Sequence, residues 1–164
     1  QCAGSFAASL TIQHSHQAKT RKQKWRKKAI RTPIALTDWY KETESESRLH
    51  TRDSVILGFS PTAPVWAEQI SIGGPELAHR AGQTWKPAHA GALRREASFM
   101  PINQLEIDQK ACQQFMRGEP IQTDQSGWNA IELRGRPLGW VKANGKIGKN
   151  HLPSGARMSG ELTT

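Results

Sequence analysis

The chain has 164 residues, enough for one domain or for two small ones sharing an interface. Its apolar share of 36% is below the usual globular range, so a modest core is expected, and no apolar run reaches the roughly 18 residues of a membrane span. Two cysteines, Cys2 and Cys112, are too few for a disulfide framework and lack metal-ligand spacing, which excludes a stapled secreted scaffold and fits a reducing cytoplasm.

The first residues contain Ser5-Phe6-Ala7-Ala8-Ser9-Leu10-Thr11-Ile12, a run of small and apolar side chains that reads as a buried strand. Within 1–17 it has no partner strand, so it is expected to be the last strand of a domain lying upstream. His14 and His16 stand near Cys2 without a fourth ligand, and no metal is expected. The net charge of +9 is then concentrated: residues 19–31 hold eight basic side chains and no acid, and the other 15 basic residues nearly balance 14 acidic ones. A near-neutral body is thus joined to a cationic segment. Residues 18–52 are polar, with Glu42, Glu44 and Glu46 following the basic run, and read as a disordered or transiently helical linker.

From residue 53 the texture changes, and 53–101 is expected to form a small α/β intermediate domain. Ser54 to Phe59 is a strand candidate ended by Pro61 and Pro64. Val65 to Ile72 is a short helix or strand, and Trp85-Lys86-Pro87 should be extended, since proline drives its predecessor out of the helical region. Leu105, Ile107, Ala111, Cys112, Phe115 and Met116 recur at near-helical spacing. They predict a helix over 103–116, with Glu106 and Asp108 early, Arg117 late and Gly118 at its end. Trp128 to Leu133 alternates as a strand, Arg134-Gly135-Arg136-Pro137 turns, and Leu138 to Lys142 returns. Asn144-Gly145 then predicts a tight hairpin with positive φ at both positions. The expected class is α+β: a small antiparallel, barrel-like β unit over 102–160 with one or two helices.

The segment from Pro137 to Arg157 resembles the C-terminal PUA-like module of Sun-type RNA (cytosine-5) methyltransferases, in particular the branch of bacterial small-subunit rRNA methyltransferase F. Gly139, Trp140 and Lys142 match the first part of that family's ending, and Lys149, Asn150, His151, Pro153, Gly155 and Arg157 match the second. Val141, Leu152 and Ser154 depart from it, standing where the family has Gly, Tyr and Lys. Phe115-Met116-Arg117-Gly118-Glu119 and Arg95-Glu96-Ala97-Ser98 are weaker matches, the latter with Ala97 in place of proline. Gly4-Ser5-Phe6-Ala7-Ala8 looks like the final strand of the family's catalytic domain. The resemblance implies a 16S rRNA partner, with S-adenosylmethionine and two reactive cysteines in the parent enzyme. Cys2 and Cys112 sit outside the family's Pro-Cys and Thr-Cys contexts, and no Gly-rich cofactor loop is present. No catalytic residue and no cofactor site is therefore expected in these residues, and methylation would be carried out by a catalytic domain elsewhere.

Lys142, Lys146, Lys149, His151 and Arg157 place five potential cations on one hairpin and its exit loop, as phosphate contacts require. Asn150 could bond a base edge or its own backbone. Trp140 could be a stacking platform beside Lys142, or core packed on the 103–116 helix. In the basic run, Lys22, Lys24, Arg26, Lys27 and Lys28 could hold RNA around Trp25, or could simply keep a solvated linker extended. The alternative function is a protein-docking module, on a ribosomal protein or the parent's catalytic domain, with Trp66, Trp85 or Trp128 exposed. No membrane role is expected, because the basic run has no apolar helical face.

Overall fold

The computed structural model describes residues 34–41, 48–70, 76–95 and 99–158. The strand expected at 1–17 and the basic run at 19–31 lie outside the described residues. Helix α1 (Ile34–Thr37) opens the described chain, and Leu36, Trp39 and Tyr40 on it and just after it are buried. Tyr40 donates its hydroxyl to the Leu77 carbonyl at 2.7 Å, and Lys41 N–H bonds Met100 O at 2.8 Å. Leu36, Trp39 and Tyr40, read from composition as linker, are therefore core. Three large apolar side chains within five residues are enough to anchor an otherwise polar stretch.

Strand β1 (Arg48–Arg52), again from the expected linker, pairs with β2 (Val55–Phe59) through a turn whose Asp53 adopts φ 51°. Aspartate tolerates this left-handed conformation better than most residues. Helix α2 (Val65–Ile70) follows, then β3 (Glu76–Ala81), β4 (Thr84–Pro87) and the short α3 (His89–Ala92). The four strands form one antiparallel sheet in the order β1-β2-β3-β4. Ile56, Leu57, Gly58 and Phe59 of the inner strand β2 are all buried, which explains its unbroken apolar sequence.

The second sheet begins with β5 (Gln104–Glu106), where a helix was expected. The helix, α4 (Gln109–Met116), starts later because the Asp108 carboxylate accepts from Ala111 N–H at 2.7 Å and caps it. Leu105 and Ile107 do point at the core, but from an extended segment, where residues two apart share a face; on a helix they would lie on opposite sides. Glu106 is consequently not a helix-dipole acid: its carboxylate accepts from the Arg134 and Gly135 backbone N–H groups. The sheet is completed by β6 (Ile121–Gln122), β7 (Ser126–Leu133), β8 (Arg136–Asn144) and β9 (Ile147–Asn150), in the order β5-β7-β8-β9-β6. Only β5 with β7 is parallel. The β7–β8 turn has φ 52° at Arg134 and 66° at Gly135, the doubly left-handed geometry that suits a two-residue hairpin. In the β8–β9 turn only Gly145 takes positive φ. Asn144 instead stays in the strand, and its side-chain oxygen accepts from Lys146 and Ile147 N–H at 3.2 and 3.0 Å.

The second sheet buries both faces. Phe115 from α4 packs with Ile121, Ile131, Val141 and Leu152 on one side. On the other, Ala130 and Trp140 join Leu36, Trp39, Tyr40, Ile56, Leu77 and Ala78, so the two sheets share a cluster. Trp140 is 1% exposed, donates its indole N–H to Ala88 O at 2.9 Å, and meets Tyr40 edge-on at 5.8 Å. It is thus core, packed towards the first sheet and not on α4. The architecture is α+β, mostly antiparallel, with a curled C-terminal sheet and few helices.

Candidate RNA-binding face

A register change in the β7–β8 hairpin decides which side chains meet. Near the turn, Leu133 faces Arg136 and Glu132 faces Pro137; beyond it, Ile131 faces Gly139 and Trp128 faces Lys142. Strand β8 thus carries one extra residue, a β-bulge, and Gly139 beside it adopts φ +156°. A Cβ there would also meet Phe115 Cζ at 3.1 Å and His89 Nδ1 at 3.2 Å, which explains the glycine. Without the bulge, a simple two-residue hairpin would place Val141 opposite Trp128. A slip of one residue exchanges the faces of a strand, so the bulge is what brings Lys142 beside Trp128.

The same face continues into β9, where Lys149 is directly opposite Lys142. His151 N–H bonds Trp140 O at 3.0 Å, which extends the ladder by one step. Trp128, Lys142 and Lys149 therefore form a row across three strands, with His151 at its side. The Trp128 and His151 rings are 4.4 Å apart between centroids, and the Lys142 ammonium lies 5.8 Å from the Trp128 centroid. Trp39 meets Trp128 edge-on at 6.2 Å and fixes it from the core side. Opposed like charges on neighbouring strands destabilise a sheet, and among the described residues no carboxylate pairs with Lys142 or Lys149.

The first sheet adds to this field. His79 and Lys86 face each other across β3 and β4. Burial lowers the His151 pKa, and the charges of Lys86, Lys149, Lys142 and His79 lower it further, to about 4. His151 is thus neutral at pH 7, an aromatic partner for Trp128 more than a cation. Its ring is a hydrogen-bonding group held among three lysines.

The other expected site residues are placed differently. Asn150 points to the opposite face: its amide donates to Phe115 O at 2.8 Å and Glu119 O at 3.0 Å, and its oxygen accepts from Leu152 N–H at 2.7 Å. Both amide hydrogens and one acceptor position of its oxygen are committed to the backbone, which gives Asn150 a structural role in place of the expected base-edge one. Arg157 donates Nε–H to Leu152 O at 3.2 Å and covers Gly118, where a Cβ would lie 2.6 Å from that nitrogen. Lys146 is exposed at the tip of the β8–β9 turn. Lys22, Lys24, Arg26, Lys27 and Lys28 lie outside the described residues. Trp85 and Trp128 are partly buried against the shared cluster, leaving Trp66 the exposed member of that trio. Cys112 is buried in α4 and burial pushes its thiol pKa up, the reverse of what a nucleophile needs. Sequence reading missed Lys86 and His79, which reach the site only through packing of the sheets.

A capped helix on a curled five-stranded sheet is the architecture of the C-terminal part, and it is consistent with a PUA-like module. Residues 102–158 match the family model of the methyltransferase RsmF PUA domain, which supports an RNA-binding part of a methyltransferase of that type. The match spans β5 to β9 and leaves the four-stranded sheet outside it. No curated protein matches the chain.

Proposed function

We propose that this chain holds small-subunit (16S) rRNA for an S-adenosylmethionine-dependent (cytosine-5) methyltransferase, whose catalytic domain is its partner within the parent protein. The observation that carries the reading is the Trp128–Lys142–Lys149 row: a base-sized aromatic beside two cations without carboxylate partners among the described residues. Phosphates would be held by Lys142 and Lys149, with Lys146 at the rim of the same hairpin. Asn150, Arg157 and Gly118 shape the loop that delivers His151. The basic run around Lys24 would add non-specific attraction to the RNA backbone. Methyl transfer belongs to the parent's catalytic domain, where S-adenosylmethionine would bind. Such a protein would work in the cytoplasm, and among the described residues no helix is long and apolar enough to cross a membrane.

The test is binding of a 16S rRNA fragment by Lys142→Ala/Lys149→Ala, compared with a variant in which Lys22, Lys24, Arg26, Lys27 and Lys28 are glutamine. The reading predicts weaker binding from the double variant in both backgrounds. Equal binding with and without Lys142 and Lys149 would refute the face as the reader. A docking role has one observation in its favour: Val65, Trp66 and Ile70 on α2 are 66%, 61% and 64% exposed. Substituting Trp66 by Ser should leave RNA affinity unchanged, whereas it would weaken attachment to a protein partner.

A further inference from the structure

We propose that the RNA site is composite, built by both sheets, and that it takes a single unpaired nucleotide: the base against the Trp128–His151 pair and the flanking phosphates on Lys142, Lys149 and Lys86. This rests on the RNA-binding reading above but reaches beyond the segment that matches the PUA model, because Lys86 and His79 belong to the four-stranded sheet.

The geometry that joins the sheets at this point is specific. Lys86 lies two residues before Ala88, whose carbonyl accepts the Trp140 indole N–H at 2.9 Å. The Trp140 carbonyl in turn accepts from His151 N–H at 3.0 Å. The end of β4 is thereby tied through one buried tryptophan to the residue that packs on Trp128. Lys86 and His79 are neighbours across β3 and β4, and Lys86 is near enough to His151 for its charge to act on the imidazole. Burial holds the His151 pKa down, and the Lys86 charge lowers it further together with those of the two β-strand lysines. Cations arriving from β4, β8 and β9 around an aromatic pair suit a bent, single-stranded backbone whose phosphates flank an unstacked base. In the free protein the Lys142 ammonium lies over Trp128. A base would displace it from the ring, and the released ammonium would take the adjacent phosphate. Bases inside a duplex are stacked on each other and cannot reach the ring.

The experiment uses the full chain with a short single-stranded oligoribonucleotide and a blunt duplex of the same length, over a series of salt concentrations. Lys86→Gln and His79→Gln are compared with Lys110→Gln, an exposed lysine on α4, and melting curves verify that each variant folds. Lys86→Gln should reduce the log–log salt slope for the single strand by about 0.7, the share of one neutralised phosphate, while Lys110→Gln leaves it unchanged. Trp128→Leu should weaken single-strand binding by about 5- to 150-fold, the range for removing one base-stacking partner, and should remove the preference over duplex. A wild-type slope in a folded Lys86→Gln overturns the composite site while leaving the PUA-like face as an RNA reader. Equal affinity for duplex and single strand overturns the unpaired-nucleotide part. Absence of any RNA binding by the wild-type chain removes the underlying reading itself.

Discussion

Replacing Asn150 separates structure from recognition at the centre of the motif. Its side chain makes three hydrogen bonds to backbone groups of Phe115, Glu119 and Leu152. At about 1 kcal/mol net for each bond, Asn150→Ala should destabilise the fold by about 3 kcal/mol. For a chain of this size that corresponds to a melting temperature lower by about 6–12 °C. Asn150→Asp keeps the bond to Leu152 but sets a carboxylate oxygen against two carbonyl oxygens, so at pH 7 it should be less stable than the alanine variant. Protonation lets that oxygen donate again; the aspartate variant should therefore recover, relative to alanine, as pH falls. Thermal unfolding followed by circular dichroism at pH 7 and pH 5 reads both effects. A wild-type melting temperature for Asn150→Asp, combined with weakened RNA affinity, would refute the structural role and restore a base-contacting one.

Gly91→Ala should be among the most damaging small changes, because its Cβ would lie 1.9 Å from the Tyr40 hydroxyl oxygen that bonds Leu77; a loss of about 2–4 kcal/mol in chemical denaturation is expected for such overpacking with a broken buried hydrogen bond. His151 should titrate near pH 4 in free protein by NMR, below the ordinary histidine value of 6.5. Since its folded-state pKa is depressed, its contribution to stability is complete above about pH 6.5 and is lost as pH falls through 4, a dependence that His151→Gln should remove. Bound phosphates oppose the lysine field, so an oligoribonucleotide should raise the His151 pKa; an unchanged titration in the complex would place the anion elsewhere.

Much of the C-terminal hairpin was legible because its information is local. Lys142 and Lys149 stand out as cations on adjacent strands, and the Asn144-Gly145 turn fixes where they meet. Trp128 as their neighbour was not legible, since the pairing depends on a bulge near Pro137 and Gly139 that alternation alone does not reveal. The expected 103–116 helix fails only at its start, where the signal was local: Leu105 and Ile107 stand two apart, a strand spacing, and Asp108 caps the helix behind them. Burial of Trp39 and Tyr40 was hidden by the polar composition around them. Their anchoring partners, Leu77 for the Tyr40 hydroxyl and Ile102 for the Trp39 carbonyl, are far away in sequence. Lys86 and His79 were missed because only sheet-on-sheet packing brings them to His151.

The most direct measurement of the central claim is the salt dependence of 16S rRNA-fragment binding by the chain with its 19–31 basic residues replaced by glutamine, with and without Lys142→Ala/Lys149→Ala. With the two lysines present, the account predicts retained binding. Removing both should lower the log–log slope by about 1.4, at about 0.7 for each single-strand phosphate that is no longer neutralised. Unchanged slope and affinity in the folded double variant would contradict it, and would leave the lysine row without a role in RNA binding.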